Sequence, residues 1–309
     1  MPELFTLTRA QGANQALVDH AIAPEGWTLR FADEPVLVKG FRKMVRSNEY
    51  DVAELAVTTY LTAKEHGASF TALPIFILRD FHHAKTQVLR DGPIKTAADL
   101  AGKRVGVNRG YTVTAGVWAR AALADAGLDL SSVTWVLSGD EHVATYVPPA
   151  NVVSAPAGRS LEEQLLAGDL DAVVNAGLEN DAVVPLLPED AGWASLRETG
   201  FVPVNHLIVM RDELVTAHPG LATAVFEAFA EAKHRYLAKL RDGEGDAKQD
   251  RLLRRVMDVT GGADPLPYGV EPNRAVLEKL MHNAIAQGIL TRPVAIEDVF
   301  VPETLGLVG

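Results

Sequence analysis

The sequence predicts an α/β fold of two lobes with a ligand cleft between them, and three observations predict it. Strand-like and helix-like segments alternate along the chain up to about residue 200. The alternation falls into two blocks, near residues 1–90 and 95–200, which is the signature of two sheets flanked by helices. The remainder of the chain is almost wholly helical apart from one apolar strand.

In the first block, "LFTLTRA" reads as a strand, "NQALVDHAIAP" as a helix ending near Pro24, and "WTLRFAD" as a return to strand. "VLVKGFRKMVRSNEYDVAELAVTTYLTAKEHG" holds helical spacing on both sides of "YDVAE", with Gly67 as its stop. "FTALPIFIL" lacks polar alternation and so reads as a strand buried on both faces. In the second block, "TAADL" is a short helix and "RVGV" a strand. After the loop "NRGYTV" comes a helix closed by Gly127. "VTWVLS" and "LDAVVNA" add strands, with the helix "SLEEQLLAG" between them, so a second parallel sheet is expected.

"HLIVM" is then a strand that crosses back to the first lobe. "HPGLATAVFEAFAEAKHRYLAKLRD" and "NRAVLEKLMHNAIAQG" place apolar residues three and four apart, as amphipathic helices do. "RDGEGDAKQD" is a solvated break, and "ADPLPYGVEPN" a loop whose Tyr268 packs. Lobe 1 is accordingly assigned residues 1–93 and 204–309, and lobe 2 residues 94–203.

The chain has 40 acidic and 29 basic residues, a net charge of −11. That balance disfavours broad contact with nucleic-acid phosphates or an anionic membrane, so neither is an expected partner. An anionic ligand needs a local basic pocket. Cysteine is absent, which removes disulfides, thiolate metal sites and a cysteine nucleophile. The N-terminal stretch has no secretory pattern and no run of eighteen apolar residues occurs, so the chain reads as soluble and cytoplasmic. A homo-oligomer is compatible with all of this.

"IKTAADLAGKRVGV" resembles the entry to the second lobe of type 2 periplasmic-binding-protein-like folds. Taken in order, "PIFILRDFHH", "GYTVTAGVWARAAL", "PAGRSLEEQLLAGDLDAVV", "TGFVPVNHLIVMRDEL" and "PLPYGVEPNRAVLEKLMHNAIAQG" resemble the 4,5-dihydroxyphthalate decarboxylase family, from about "YDVAEL" to the end. The resemblance implies the two-lobed fold and removal of CO2 from a hydroxylated aromatic acid without a cofactor. The chain departs from the family where an aromatic and acidic "D-Y-D-R" stretch is common and "TRAQGANQAL" stands instead. It departs again at His82, where arginine is common, and at Asp80, where a small residue is common.

Such a decarboxylation needs a proton donor at the carbon bearing the carboxylate, an acceptor at the phenols, and cations for the second carboxylate. Histidine suits either proton role because its pKa lies near neutrality. The resemblance points to His83 and His206, one as general acid and the other orienting or deprotonating a phenol, in an order left open. His82 and His83 are adjacent, so in an extended segment only one can face a given cleft; a strand-end histidine bonded to backbone is the bland alternative. Arg79 is a candidate carboxylate fork, with an ordinary ion pair as its alternative. In "NRGYTVTAG", Arg109, Tyr111, Thr112 and Thr114 surround a helix start that attracts anions; a simple threonine cap would look the same. Glu54, taken as a helix residue, could accept from a phenol or merely be solvated.

Asp80, His82, His83 and His206 could instead hold a divalent metal, although no H-x-H, H-x-x-x-H or H-E-x-x-H pattern supports it. A solute-binding protein for a small aromatic or carboxylate ligand is the alternative of a different class. A pyrimidine-synthase branch of the same fold carries a cysteine-rich motif, which this chain lacks.

Overall fold

Residues of "VAELA" are buried at every position and those of "FTALPIFIL" at nearly every one, and in the computed structural model, which describes residues 1–309, both become strands of one sheet. In chain order the first stretch gives β1 (Glu3–Leu7), α1 (Gln15–Val18), β2 (Thr28–Phe31), α2 (Leu37–Ser47), β3 (Val52–Ala56), α3 (Val57–Glu65) and β4 (Phe70–Arg79). The middle of the chain gives β5 (Thr86–Leu89), β6 (Arg104–Val107), α4 (Thr114–Asp125), β7 (Thr134–Leu137), β8 (Val152–Ser154), α5 (Leu161–Leu166), β9 (Ala172–Val174), β10 (Val183–Pro185) and α6 (Ala191–Thr199). The last part holds β11 (Val204–Arg211), α7 (Asp212–Ala217), α8 (Leu221–Arg241), α9 (Lys248–Thr260) and α10 (Arg274–Ala286).

The chain divides into two units. The first comprises Met1–Asp80, Val204–Glu278 and Val294–Gly309, the second Phe81–Pro203 and Lys279–Pro293. The first boundary therefore falls after Asp80 and not after residue 93, because β5 pairs with β9 and β10 of the second sheet. Residues 279–293 also leave the first unit. Within the second, Gln287 accepts from Arg120 Nε at 2.8 Å, and Gly288 accepts from the Tyr146 hydroxyl at 3.1 Å.

The first unit has a five-stranded sheet in the order β2-β1-β3-β11-β4. β1 runs parallel to β2 and β3, while β11 is antiparallel to both β3 and β4. The N-terminal end of β11 thus lies at the same sheet edge as the carboxyl ends of β1, β3 and β4. Leu73, Ile75, Ile208 and Met210 pack with Leu221, Val225, Phe226 and Phe229 of α8. Tyr268 is buried there, its ring 6.4 Å from that of Phe226. Gly67, at φ +83°, follows α3 in the left-handed turn that only glycine adopts cheaply.

The second unit has a six-stranded sheet, β10-β5-β9-β6-β7-β8, in which β6 to β9 are mutually parallel and β5 is antiparallel to its neighbours. Ser160 and Glu163 cap α5 reciprocally. Three of these strands, β5, β8 and β10, have no counterpart in the sequence reading. No helix of either unit is long and apolar enough to cross a membrane.

Candidate active site

β3 is a central strand, so Glu54 in its middle is fully buried, and the sequence reading of Glu54 as a helix residue is corrected. A carboxylate taken out of water must be given partners. Glu54 has four. Oε2 accepts from the Thr8 hydroxyl and the Arg9 backbone N–H, each at 3.1 Å, and Oε1 accepts from Arg9 Nε at 3.1 Å and His206 Nδ1 at 2.6 Å. β1 delivers Thr8 and Arg9 because its register places Leu7 beside Ala53 of β3. β11 delivers His206, paired with Ala56 on one side and with Leu78 of β4 on the other, where the ladder shifts register.

Burial pushes the Glu54 carboxyl up, but the hydrogen bond and charge of His206 and the charge and N–H of Arg9 outweigh it and hold the group below the ordinary value of 4.5. Glu54 is therefore ionised at neutral pH, and Nδ1 of His206 must carry the proton it shares. Arg9 Nη2 also approaches Nδ1, at 3.2 Å. Both cations converge on one carboxylate, so a protonated His206 leaves the cluster with one net positive charge. The imidazole is packed edge-on to Phe41, centroids 5.2 Å apart, and its side chain is 15% exposed. Nε2 is the ring nitrogen turned away from Glu54.

Arg79, the last residue of β4, is buried within the first unit rather than offered as an open fork. Its Nη2 donates to the Pro267 carbonyl at 3.1 Å and to Asn273 Oδ1, and Asn273 Nδ2 in turn bonds Pro267 and Gly269 carbonyls at 2.9 and 2.7 Å. Burial lowers its pKa to about 10, with Asp264 and Tyr268 opposing. In this position it ties β4 to the 267–273 turn.

His82 and His83 are not in an extended segment. The strand ends at Arg79 and His83 opens a 3-10 turn, so both histidines line the same cavity of the second unit, about 660 Å³, with Trp118, Ser195, Glu198 and Lys279. Burial pushes the His83 imidazole below its ordinary value, against the attraction of Asp125. Its Nδ1 is buried without a hydrogen-bond partner. No three His, Asp or Glu side chains are grouped as a metal would need.

The "NRGYTVT" loop forms a carboxylate cradle, already filled by Glu141. The N–H of Tyr111 donates to Oε1, the N–H of Thr112 to Oε2 at 3.2 Å, and the Thr112 hydroxyl to Oε2 at 2.6 Å. Arg109 stands at φ +71° with its N–H on Ser138 Oγ at 2.9 Å. Thr114 begins α4 and is buried; the position before it is Val113, which makes no side-chain cap. The simple threonine cap is thus absent.

Arg9, Glu141 and Arg120 were missed by the sequence reading. Arg120 had a signal, a lone cation in the apolar helix "GVWARAALA". Arg9 and Glu141 had none, since each meets its partners across 29 residues or more.

The pattern of the family described as NMT1/THI5 like matches residues 34–239. A protein of Comamonas testosteroni named 4,5-dihydroxyphthalate decarboxylase is 30% identical over 291 residues, covering 86% of each chain. A protein of the same name from Pseudomonas putida is 38% identical over 143 residues, covering 43% of this chain and 55% of its own. Among solved structures, the periplasmic aliphatic sulphonate binding protein SsuA of Escherichia coli superposes with a TM-score of 0.57 at 14% identity, covering 97% of each chain. The desulfurization enzyme DSZB does so at 0.55 and 18%, covering 99% of this chain and 98% of its own. These two establish the fold, that of periplasmic binding proteins. The chain belongs to the NMT1/THI5-like family and, by its identity across most of its length, to the 4,5-dihydroxyphthalate decarboxylase family.

Proposed function

We propose that the protein decarboxylates a hydroxylated aromatic carboxylic acid, 4,5-dihydroxyphthalate or a close relative, without a cofactor. The observation that carries the mechanism is the buried Glu54 carboxylate on Nδ1 of His206, with Arg9 beside it. The two curated relatives support the reaction class by their names.

In 4,5-dihydroxyphthalate each carboxylate has a hydroxyl para to it. Ionised, that phenol pushes electron density onto the carbon bearing the carboxylate. The carbon takes a proton from the His206 imidazolium, the bond to the carboxylate breaks, CO2 leaves, and the released pair restores the ring. Glu54 keeps the imidazole oriented and charged until the proton moves. Arg9, partly exposed, supplies a guanidinium that can fork onto a carboxylate. His83 takes the other proton role. An imidazole held below its ordinary value is neutral at pH 7 and accepts the phenol proton. We place the protein in the cytoplasm, which fractionation of the source cells checks.

CO2 release and product mass are to be measured with chelator-treated protein, 4,5-dihydroxyphthalate and a panel of hydroxybenzoates. Turnover is expected, and His206→Ala lowers kcat by about 10²–10⁴-fold, as loss of a positioned acid does. Binding without turnover by the intact protein would favour a solute binder, activity only with added metal would restore a metal role, and normal turnover in His83→Ala would remove that residue from the mechanism.

A further inference from the structure

We propose that Glu141 is an internal surrogate for a ligand carboxylate, and that the cradle formed by Tyr111 and Thr112 receives a carboxylate of the aromatic acid once Glu141 swings out. The inference rests on the aromatic-carboxylate reading above and names a binding subsite and its gate.

Two observations carry it. First, the three donors of Tyr111 and Thr112 meet a carboxylate brought from outside the loop and its helix. The fit depends on Gly110: a Cβ there would lie 2.7 Å from Glu141 Oε2 and 3.0 Å from Oε1. Glycine is not needed for backbone reasons, since Gly110 is not among the residues at positive φ. It leaves room for the guest. Second, a buried cation stands behind the cradle. Arg120 is fully buried, its Nη1 has no hydrogen-bond partner, and its guanidinium lies 3.8 Å from the Tyr111 ring centroid. Arg120 Nη2 donates to the Tyr111 carbonyl at 2.7 Å. That carbonyl and the Thr112 N–H belong to one peptide unit, so the buried charge polarises a group that donates to the carboxylate.

On its other side Arg120 donates through Nε to Gln287, which is neutral. A buried charge of this kind calls for a nearby anion. Glu141 supplies it now, and a ligand carboxylate meets the same donors. Because Glu141 is tethered, it competes at a high effective concentration and selects ligands whose other contacts offset its displacement.

The test uses unsubstituted phthalate and benzoate, which lack the para hydroxyl that drives decarboxylation, with binding read by calorimetry on the full chain. Glu141→Ala removes the guest and is expected to tighten phthalate binding about tenfold, with melting temperature recorded to show that each variant is folded. Adding Gly110→Ala, whose Cβ takes the space of any carboxylate in the cradle, or Thr112→Val, which removes a donor, should erase the gain. Unchanged or weaker binding in folded Glu141→Ala, or a gain that survives both second substitutions, overturns the proposal. The readout involves no CO2, so tighter phthalate binding without turnover of any hydroxylated acid would fail the decarboxylase reading and leave the surrogate standing.

Discussion

Glu54 shows how one residue can be unremarkable in sequence and central in space. In "YDVAEL" it is a single carboxylate among apolar neighbours, but at the centre of a sheet it must collect every partner within reach, and those partners are Thr8, Arg9 and His206. Two predictions belong to this residue. Because its folded pKa is depressed, its contribution to stability is present above the ordinary carboxylate value of 4.5 and is lost as pH falls through the folded value. Melting temperature measured against pH should therefore fall on acidification below about 4.5 more steeply in the native protein than in Glu54→Gln. The same variant removes the anion that stabilises the His206 imidazolium. The alkaline limb of kcat/KM should move to lower pH by about one unit or more, as loss of an opposite charge at hydrogen-bond distance requires. An unmoved limb would mean that His206 is not the titrating acid.

At the scale of elements, the sequence read well where a period was long enough to register. α8 runs 21 residues with apolar positions three and four apart, and Phe226 and Phe229 on that stripe reach the core beneath the first sheet. Phe229→Ala should cost about 3–5 kcal/mol, measured by denaturant unfolding, since the phenyl group is fully buried and leaves a cavity. "FTALPIFIL" likewise announced β4. Adjacency would put His82 and His83 on opposite faces only in an extended segment; the strand ends at Arg79 and a 3-10 turn, not alternation, sets where they lie. A turn of three residues leaves no periodic trace.

At the scale of the molecule, the chain passes between units four times, after residues 80, 203, 278 and 293. β11 arrives only on the second passage, yet it lies between β3 and β4 in the first sheet. A chain ended at Pro203 lacks that strand and leaves the facing edges of β3 and β4 unpaired, so it should fail to fold the first unit. Far-UV circular dichroism with proteolysis checks this; a stable, protease-resistant 1–203 fragment would contradict it. The net charge of −11 acts at this scale as well. It repels anions in general, which makes local cations such as Arg9 and the buried Arg120 decisive for any carboxylate ligand.

By itself, the sequence determined the α/β class, the two blocks of alternation, the long helices, and the presence of an anion-seeking loop at "NRGYTVT". These are local properties, written in periods of two and 3.6 residues or in a glycine before a helix start. Which carboxylate fills that loop, which arginine accompanies His206, and that Arg79 is an internal tie were decided by tertiary structure alone. Each depends on partners that strand order brings together across 29 to 197 residues, and side-chain spacing along a chain carries no record of such distances.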